Sequence, residues 1–141
     1  MDTVHSEPGS DLGQLALFAD LDPAQLEAIE RSCERMSYRE GEWIIRQGDP
    51  SSALYMIVDG EVATVIDDVD RRILSKGSFF GEVSVLLGEP ASASITTRTP
   101  VSCLVVPGAE VRTFLTSHPV VAYRMLMAEA RRLKTASEWH A

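Results

Sequence analysis

The residues of this chain best placed to do chemistry lie in the stretch Phe79-Phe80-Gly81-Glu82-Val83-Ser84-Val85-Leu86-Leu87-Gly88-Glu89-Pro90-Ala91-Ser92-Ala93-Ser94-Ile95. The pattern predicts a strand ending at Phe79-Phe80, a tight turn at Gly81, and an apolar run opened by Glu82 that suits one or two helical turns. A Gly-x-Pro corner, Gly88-Glu89-Pro90, then feeds a strand of small and β-branched residues. Glycine at such a corner lets backbone N–H groups close in on an anion at a helix start. The chemistry suggested is therefore recognition of an anion rather than bond making. No acid/base pair or nucleophile constellation accompanies it, so an enzyme is not expected.

The elements that must position this stretch follow from periodicity. Asp22-Pro23-x-Gln25 supplies an N-cap acid, a proline at the first helical position and a glutamine able to cap back. Leu26, Ile29, Cys33 and Met36 recur at three- and four-residue spacing and predict one buried helical face. Leu15, Leu17, Phe18 and Leu21 precede it as a shorter helical turn. From Tyr38 to Pro107 the runs are short and β-branched or aromatic, separated by turn residues such as Gly48-Asp49-Pro50, Asp59-Gly60 and Asp67-Asp68. Asp59-Gly60 between two apolar runs predicts a hairpin. Helix returns over Ala109–Thr116 and, after Ser117-His118-Pro119, from about Val120 to about Glu138. The order is helix, eight or so strands, then two helices, which suggests a jelly-roll barrel with flanking helices.

Length and composition bound the rest. At 141 residues the chain holds one domain with a real core. Residues 1–14 read as a flexible acidic N-terminal tail and 15–141 as the domain, with the barrel at about 38–107 and the C-terminal helices at about 108–138. The formal net charge is −8, from 21 acids against 13 bases. That argues against DNA as a partner, because neutralising phosphates needs a basic face. There is no long apolar run for a membrane span and no signal-peptide pattern, so a cytoplasmic location is expected. Cys33 and Cys103 then fit as reduced, buried thiols. His5, His118 and His140 lack ligand-like spacing, and no metal is expected.

The quoted stretch resembles the phosphate-binding cassette of cyclic-nucleotide-binding domains. Gly41-Glu42, Gln47-Gly48-Asp49, Tyr55-Met56-Ile57-Val58-Asp59-Gly60 and Gly77-Ser78-Phe79-Phe80-Gly81-Glu82 stand in that family's order and spacing over roughly residues 15–138. The resemblance implies a ligand, cyclic AMP or cyclic GMP, held between barrel and cassette, with the last helix as a mobile lid. It implies that amides from about Gly81 to Ser84, next to Phe80 and Val83, cradle the cyclic phosphate. Glu82 would accept the ribose 2′-hydroxyl. The family places an arginine directly after the cassette proline to pair the phosphate, and here that residue is Ala91. Ser92 and Ser94 retain hydroxyls near that position, and Trp139 on the terminal helix is placed to stack on the base or to seal the helix end. Arg71, Arg72, Lys76 and Arg98 read as solvated surface charges rather than substitutes for the missing arginine.

Three functions fit this reading. One is a stand-alone regulatory domain that binds a cyclic nucleotide or related anion and signals through its C-terminal helix. Another is a degenerate domain of the same fold that no longer binds nucleotide and serves as a dimerisation or protein-interaction module. A fragment of a catabolite-activator-type regulator is the third, and is disfavoured because no helix-turn-helix follows the long helix. Tyr123, Leu126, Ala130, Leu133 and Ser137 repeat at 3–4–3–4 spacing, a seam suited to a homodimer through that helix.

Overall fold

A computed structural model describes Gly13, residues 15–50 and residues 52–140, without the side chains of 137–140. The acidic segment expected to form a tail and the side chains of Trp139 and Ser137 lie outside the described residues. A 3-10 turn at Ala16–Phe18 is followed by α1 (Pro23–Arg31), then β1 (Glu34–Tyr38), β2 (Trp43–Ile45), β3 (Ala53–Asp59), β4 (Glu61–Ile66), β5 (Val69–Ser75) and β6 (Phe79–Phe80). After these come α2 (Glu82–Leu87), β7 (Ser94–Thr97), β8 (Val101–Pro107), a second 3-10 turn at Gly108–Glu110, α3 (Val111–Ser117) and α4 (Pro119–His140).

The strands form two four-stranded antiparallel sheets, in the orders β1-β8-β3-β6 and β2-β7-β4-β5. This is the expected jelly roll with flanking helices. Strand β3 shows why its sequence is an unbroken apolar run rather than an alternating one. Its side chains point to opposite faces in turn, and both faces are covered. Leu54 and Met56 join Phe18, Ile29, Phe114 and Val121 under the helices. Tyr55 and Ile57 join Val62, Leu74, Ile95 and Cys103 between the sheets.

Three local expectations are corrected. Helix α1 begins as expected: Asp22 Oδ1 accepts from the Gln25 amide at 2.8 Å and the Gln25 side chain accepts from the Asp22 amide at 2.9 Å. It ends at Arg31, however, and Met36 lies on strand β1, 40 % exposed, rather than on a buried helical face. Ser32 and Cys33 close the helix with backbone bonds to Ala28, Ile29 and Glu30, and pairing of β1 with β8 overrides the apparent helical period. The Asp59-Gly60 turn does not make a hairpin either. It carries the chain from β3 in one sheet to β4 in the other. The paired hairpin is β4–β5, whose turn residues Asp67 and Asp68 both take positive φ, 51° and 65°, the requirement of a two-residue turn that matches strand twist. Finally, the barrel begins at Glu34 rather than near Tyr38. Cys103 is buried and Cys33 partly so, both as free thiols.

Candidate functional site

Strand β6 delivers the chain to Gly81, whose φ of 86° turns it sharply into α2. That backbone is one only glycine adopts without strain. The turn puts Glu82 first on α2, where it is buried at 7 % exposure. The first amides of any α-helix have no partner inside it, and here they belong to the segment Gly81–Ser84 that lines a cavity of about 150 Å³. At the other end of α2, Gly88 takes a left-handed φ of 67° and the Glu89 amide donates to Ser84 O at 3.0 Å. The Ser84 hydroxyl donates to Pro90 O at 3.3 Å. These bonds fold the Gly-x-Pro corner back over the helix.

The corner leads to Ala91, which the loop between β2 and β3 clamps from both sides. Ala91 N–H donates to Asp49 O, and Gly48 N–H donates to Ala91 O, each at 2.8 Å. Phe80, Gly81, Glu82, Val83, Ser84, Ala91 and Ser92 all line the same cavity, so the structure gathers seven of the nine candidate residues. Ser94 does not join them. It is buried on β7, and its hydroxyl accepts from the Gln47 amide at 2.8 Å, tying β7 to the loop that clamps Ala91. Trp139, the ninth, lies outside the described side chains.

Two arginines complete the cavity wall. Arg72 is opposite Thr64 on β4, and Thr64 is opposite Ile95 on β7, so one row of the sheet carries it to the mouth. The sequence suggests a solvated surface charge at this position. Arg72 is indeed solvent-exposed, yet it also lines the cavity that contains Ala91. Arg98, by contrast, is paired with Asp70 and does not line the cavity. Arg132 comes from α4, where sequence alone marks it only as a charge favourable to the helix dipole. Its guanidinium donates to Glu82 Oε2 at 3.2 Å, Glu129 Oε1 at 3.0 Å, Phe79 O at 3.1 Å and Ser78 Oγ at 3.4 Å. It also lies 4.5 Å from the centre of the Phe79 ring, within cation–π range. No local sequence signal could reveal its contact with Glu82, because the two residues are 50 positions apart in the chain.

The electrostatics centre on Glu82. Burial, and the neighbouring Glu129 carboxyl, push its carboxyl up to about 8 from an ordinary value of 4.5, against the pull of Arg132. The two carboxyls thus share one guanidinium, and at neutral pH the Glu82 carboxyl keeps its proton. Because the folded state holds that proton more tightly than the unfolded chain, this group's contribution to stability is complete below pH 4.5. It declines as pH rises through about 8. Glu82→Gln mimics the protonated carboxyl, so the variant's melting temperature is expected to fall less than the wild type's across that range. Parallel wild-type and variant profiles in a thermal melt series would refute the proton retained on Glu82.

No group of three or more metal-ligating side chains is present among the described residues. Nor is any helix among them long and apolar enough to cross a membrane.

A family model described as "Cyclic nucleotide-binding domain" matches residues 35–118. A cGMP-dependent protein kinase of Plasmodium berghei is 34 % identical over 125 residues, which is 89 % of this chain and 15 % of the kinase. A CRP-like cAMP-activated global transcriptional regulator of Mycobacterium tuberculosis is 25 % identical over 128 residues, 87 % of this chain and 57 % of the regulator. The chain therefore spans only part of the length of these relatives. Among solved structures, the Thermus thermophilus catabolite activator protein superposes with a TM-score of 0.75 at 28 % identity, over 86 % of this chain and 59 % of that one. A structure of PKAR CBD2 bound to Sp-2Cl-cAMPS superposes with a TM-score of 0.73 over 93 % of this chain and 95 % of that one; at 20 % identity it speaks for the fold alone.

Proposed function

Because this chain belongs to the cyclic nucleotide-binding domain family, we propose that it is a regulatory domain whose cavity takes a cyclic nucleotide and whose helix α4 reports the occupancy. The observation that carries this reading is the contact of Arg132 with Glu82. It makes the first residue of the cassette helix and the terminal helix parts of one ionic cluster. A ribose hydroxyl that takes Glu82 as its acceptor must compete with Arg132 for that carboxyl, and α4 then loses one of its anchors on the barrel. The amides of Gly81–Ser84 and the exposed Ser92 hydroxyl face the phosphate in this reading. With Ala91 in the arginine's place the affinity is low.

A thermal-shift series with cyclic AMP and cyclic GMP tests it. A ligand with Kd near 100 μM, present at about 1 mM, adds roughly 1.4 kcal/mol to the folded state, an increase of about 5 °C for a domain of this size. No shift from either nucleotide at that concentration sinks the proposal for the wild-type chain.

The second reading, an interaction module, draws support from the exposed seam of α4. Tyr123, Leu126 and Leu133 are 62 %, 64 % and 70 % exposed, so they are not used to cover their own barrel. In this reading they meet a second copy of α4 in a homodimer, and Leu133→Glu converts that dimer to a monomer. Sedimentation at micromolar concentration distinguishes the cases: a wild-type monomer, or a dimer indifferent to Leu133→Glu, excludes pairing through this helix.

A further inference from the structure

Beside the nucleotide cavity, and separated from it by Arg132, a second and larger depression of about 530 Å³ lies between the turn that joins β5 to β6, the first 3-10 turn and α4. Among the described residues its charged lining is Lys76, Arg124, Arg131 and Arg132, without one carboxylate. In a chain of 21 acids and 13 bases, this concentration of one sign runs against the overall balance. Arg132 shares its charge with Glu82 and Glu129. Arg124 donates to the carbonyls of Ala16, Leu17 and Ala19, the last at 2.6 Å, and among the described residues no carboxylate pairs with its charge. Lys76 and Arg131 are exposed and form no ion pair among the described residues.

The form of the groove selects its occupant. A small phosphate is bound best by free backbone amides, and here they are taken: Gly77 N–H donates to Ile57 O at 2.9 Å and Ser78 N–H to Ser75 O at 2.9 Å. What remains are long, solvated cationic side chains, separated by an apolar step. On α4, Arg124 and Arg131 are seven residues apart on one face, about 10 Å along the axis, with Met127 and Ala128 between them. Met127 is 38 % exposed although apolar. We propose that this groove binds an acidic, partly apolar peptide segment of a partner protein. Carboxylates about 10 Å apart would meet Arg131 at one end and Arg124 at the other, with Lys76 also on the groove wall, and an aliphatic side chain would rest on Met127. A segment in the polyproline II conformation provides that separation, with acids three residues apart on one face.

A fluorescein-labelled peptide of about ten residues, repeating Glu-Leu-Leu-Glu, is the probe, read by fluorescence anisotropy on the full chain. Binding is expected to weaken at least tenfold when Lys76→Glu and Arg131→Glu are combined, and to weaken as salt is raised from about 50 to 300 mM. Arg112→Glu, half that charge change at an exposed position on α3 outside the groove, should leave it within twofold. All three side chains are exposed, and unchanged melting temperatures confirm that the variants fold. Absence of binding, or equal losses in the groove variant and in Arg112→Glu, overturns the proposal. So does displacement of the peptide by inorganic phosphate or by a single-stranded oligonucleotide at matched ionic strength, which would make this a general anion site.

Discussion

Ala91→Arg is expected to tighten the binding of cyclic AMP or cyclic GMP by tens- to several-hundredfold. A bidentate guanidinium–phosphate contact is charge-assisted, and its recovery is worth about 2–4 kcal/mol. The structure makes the substitution a clean one. The Ala91 backbone is held at both its N–H and its carbonyl by Asp49 and Gly48, so a longer side chain can be added without the corner shifting. The residue is only partly buried and lines the cavity with Gly81, Glu82 and Ser84. Calorimetry on wild type, Ala91→Arg and Ala91→Arg/Glu82→Ala separates the contributions. The double variant should lose the recovered affinity, because the ribose hydroxyl then has no acceptor. If the wild type already binds tightly, another cation neutralises the phosphate, and Arg72 is the first to examine by Arg72→Ala, since Arg98 is engaged with Asp70 away from the cavity. A flat response to Ala91→Arg means that the site has closed, and the interaction-module reading then leads.

What the sequence makes legible here is what is encoded locally. Turn glycines, the proline corner and the β-branched runs between them each state a backbone preference, and together they specify the barrel, the cassette and the helix that opens at Glu82. The errors occur where a distant partner decides. Cys33 and Met36 keep helical spacing with Ile29, yet β8 supplies a ladder for residues 34–38 and a strand forms. Asp59-Gly60 has hairpin composition, yet β3 and β4 find their partners in different sheets. Arg132 is indistinguishable in sequence from its neighbours Arg131 and Lys134. Only the docking of α4 on the barrel directs it, and not them, to Glu82. The same holds for Arg72: alternation along β5 puts it on the face of Leu74, towards the cavity, but only the pairing with β4 reveals which face that is.

The turn that starts the cassette helix also leaves no room for a side chain at Gly81. Gly81→Ala is expected to destabilise the domain by about 3 kcal/mol or more, a fall of roughly 10 °C in melting temperature. A left-handed backbone costs an ordinary residue about 1–2 kcal/mol, and at Gly81 the added Cβ would also lie 2.4 Å from Ala53 O and 3.2 Å from Tyr55 Cδ1. Neither neighbour can yield readily. Ala53 is in strand β3 between two paired strands, and Tyr55 is stacked on Phe80 with ring centres 4.8 Å apart. Gly48→Ala is the control for backbone strain alone, because Gly48 has a φ of 91° and an added Cβ there would meet nothing within 4 Å; its loss should be about 1 kcal/mol. Gly60→Ala is the control for a clash remote from the cavity. Its Cβ would lie 2.2 Å from Pro100 O, and its loss should equal or exceed that of Gly81→Ala. Urea unfolding ranks the three variants. If Gly81→Ala proves as mild as Gly48→Ala, the β3 contact is not the constraint. Ligand response under conditions where all three remain folded then isolates the site: only Gly81→Ala should lose it, because relief of that clash moves the first amides of α2 and Glu82 together.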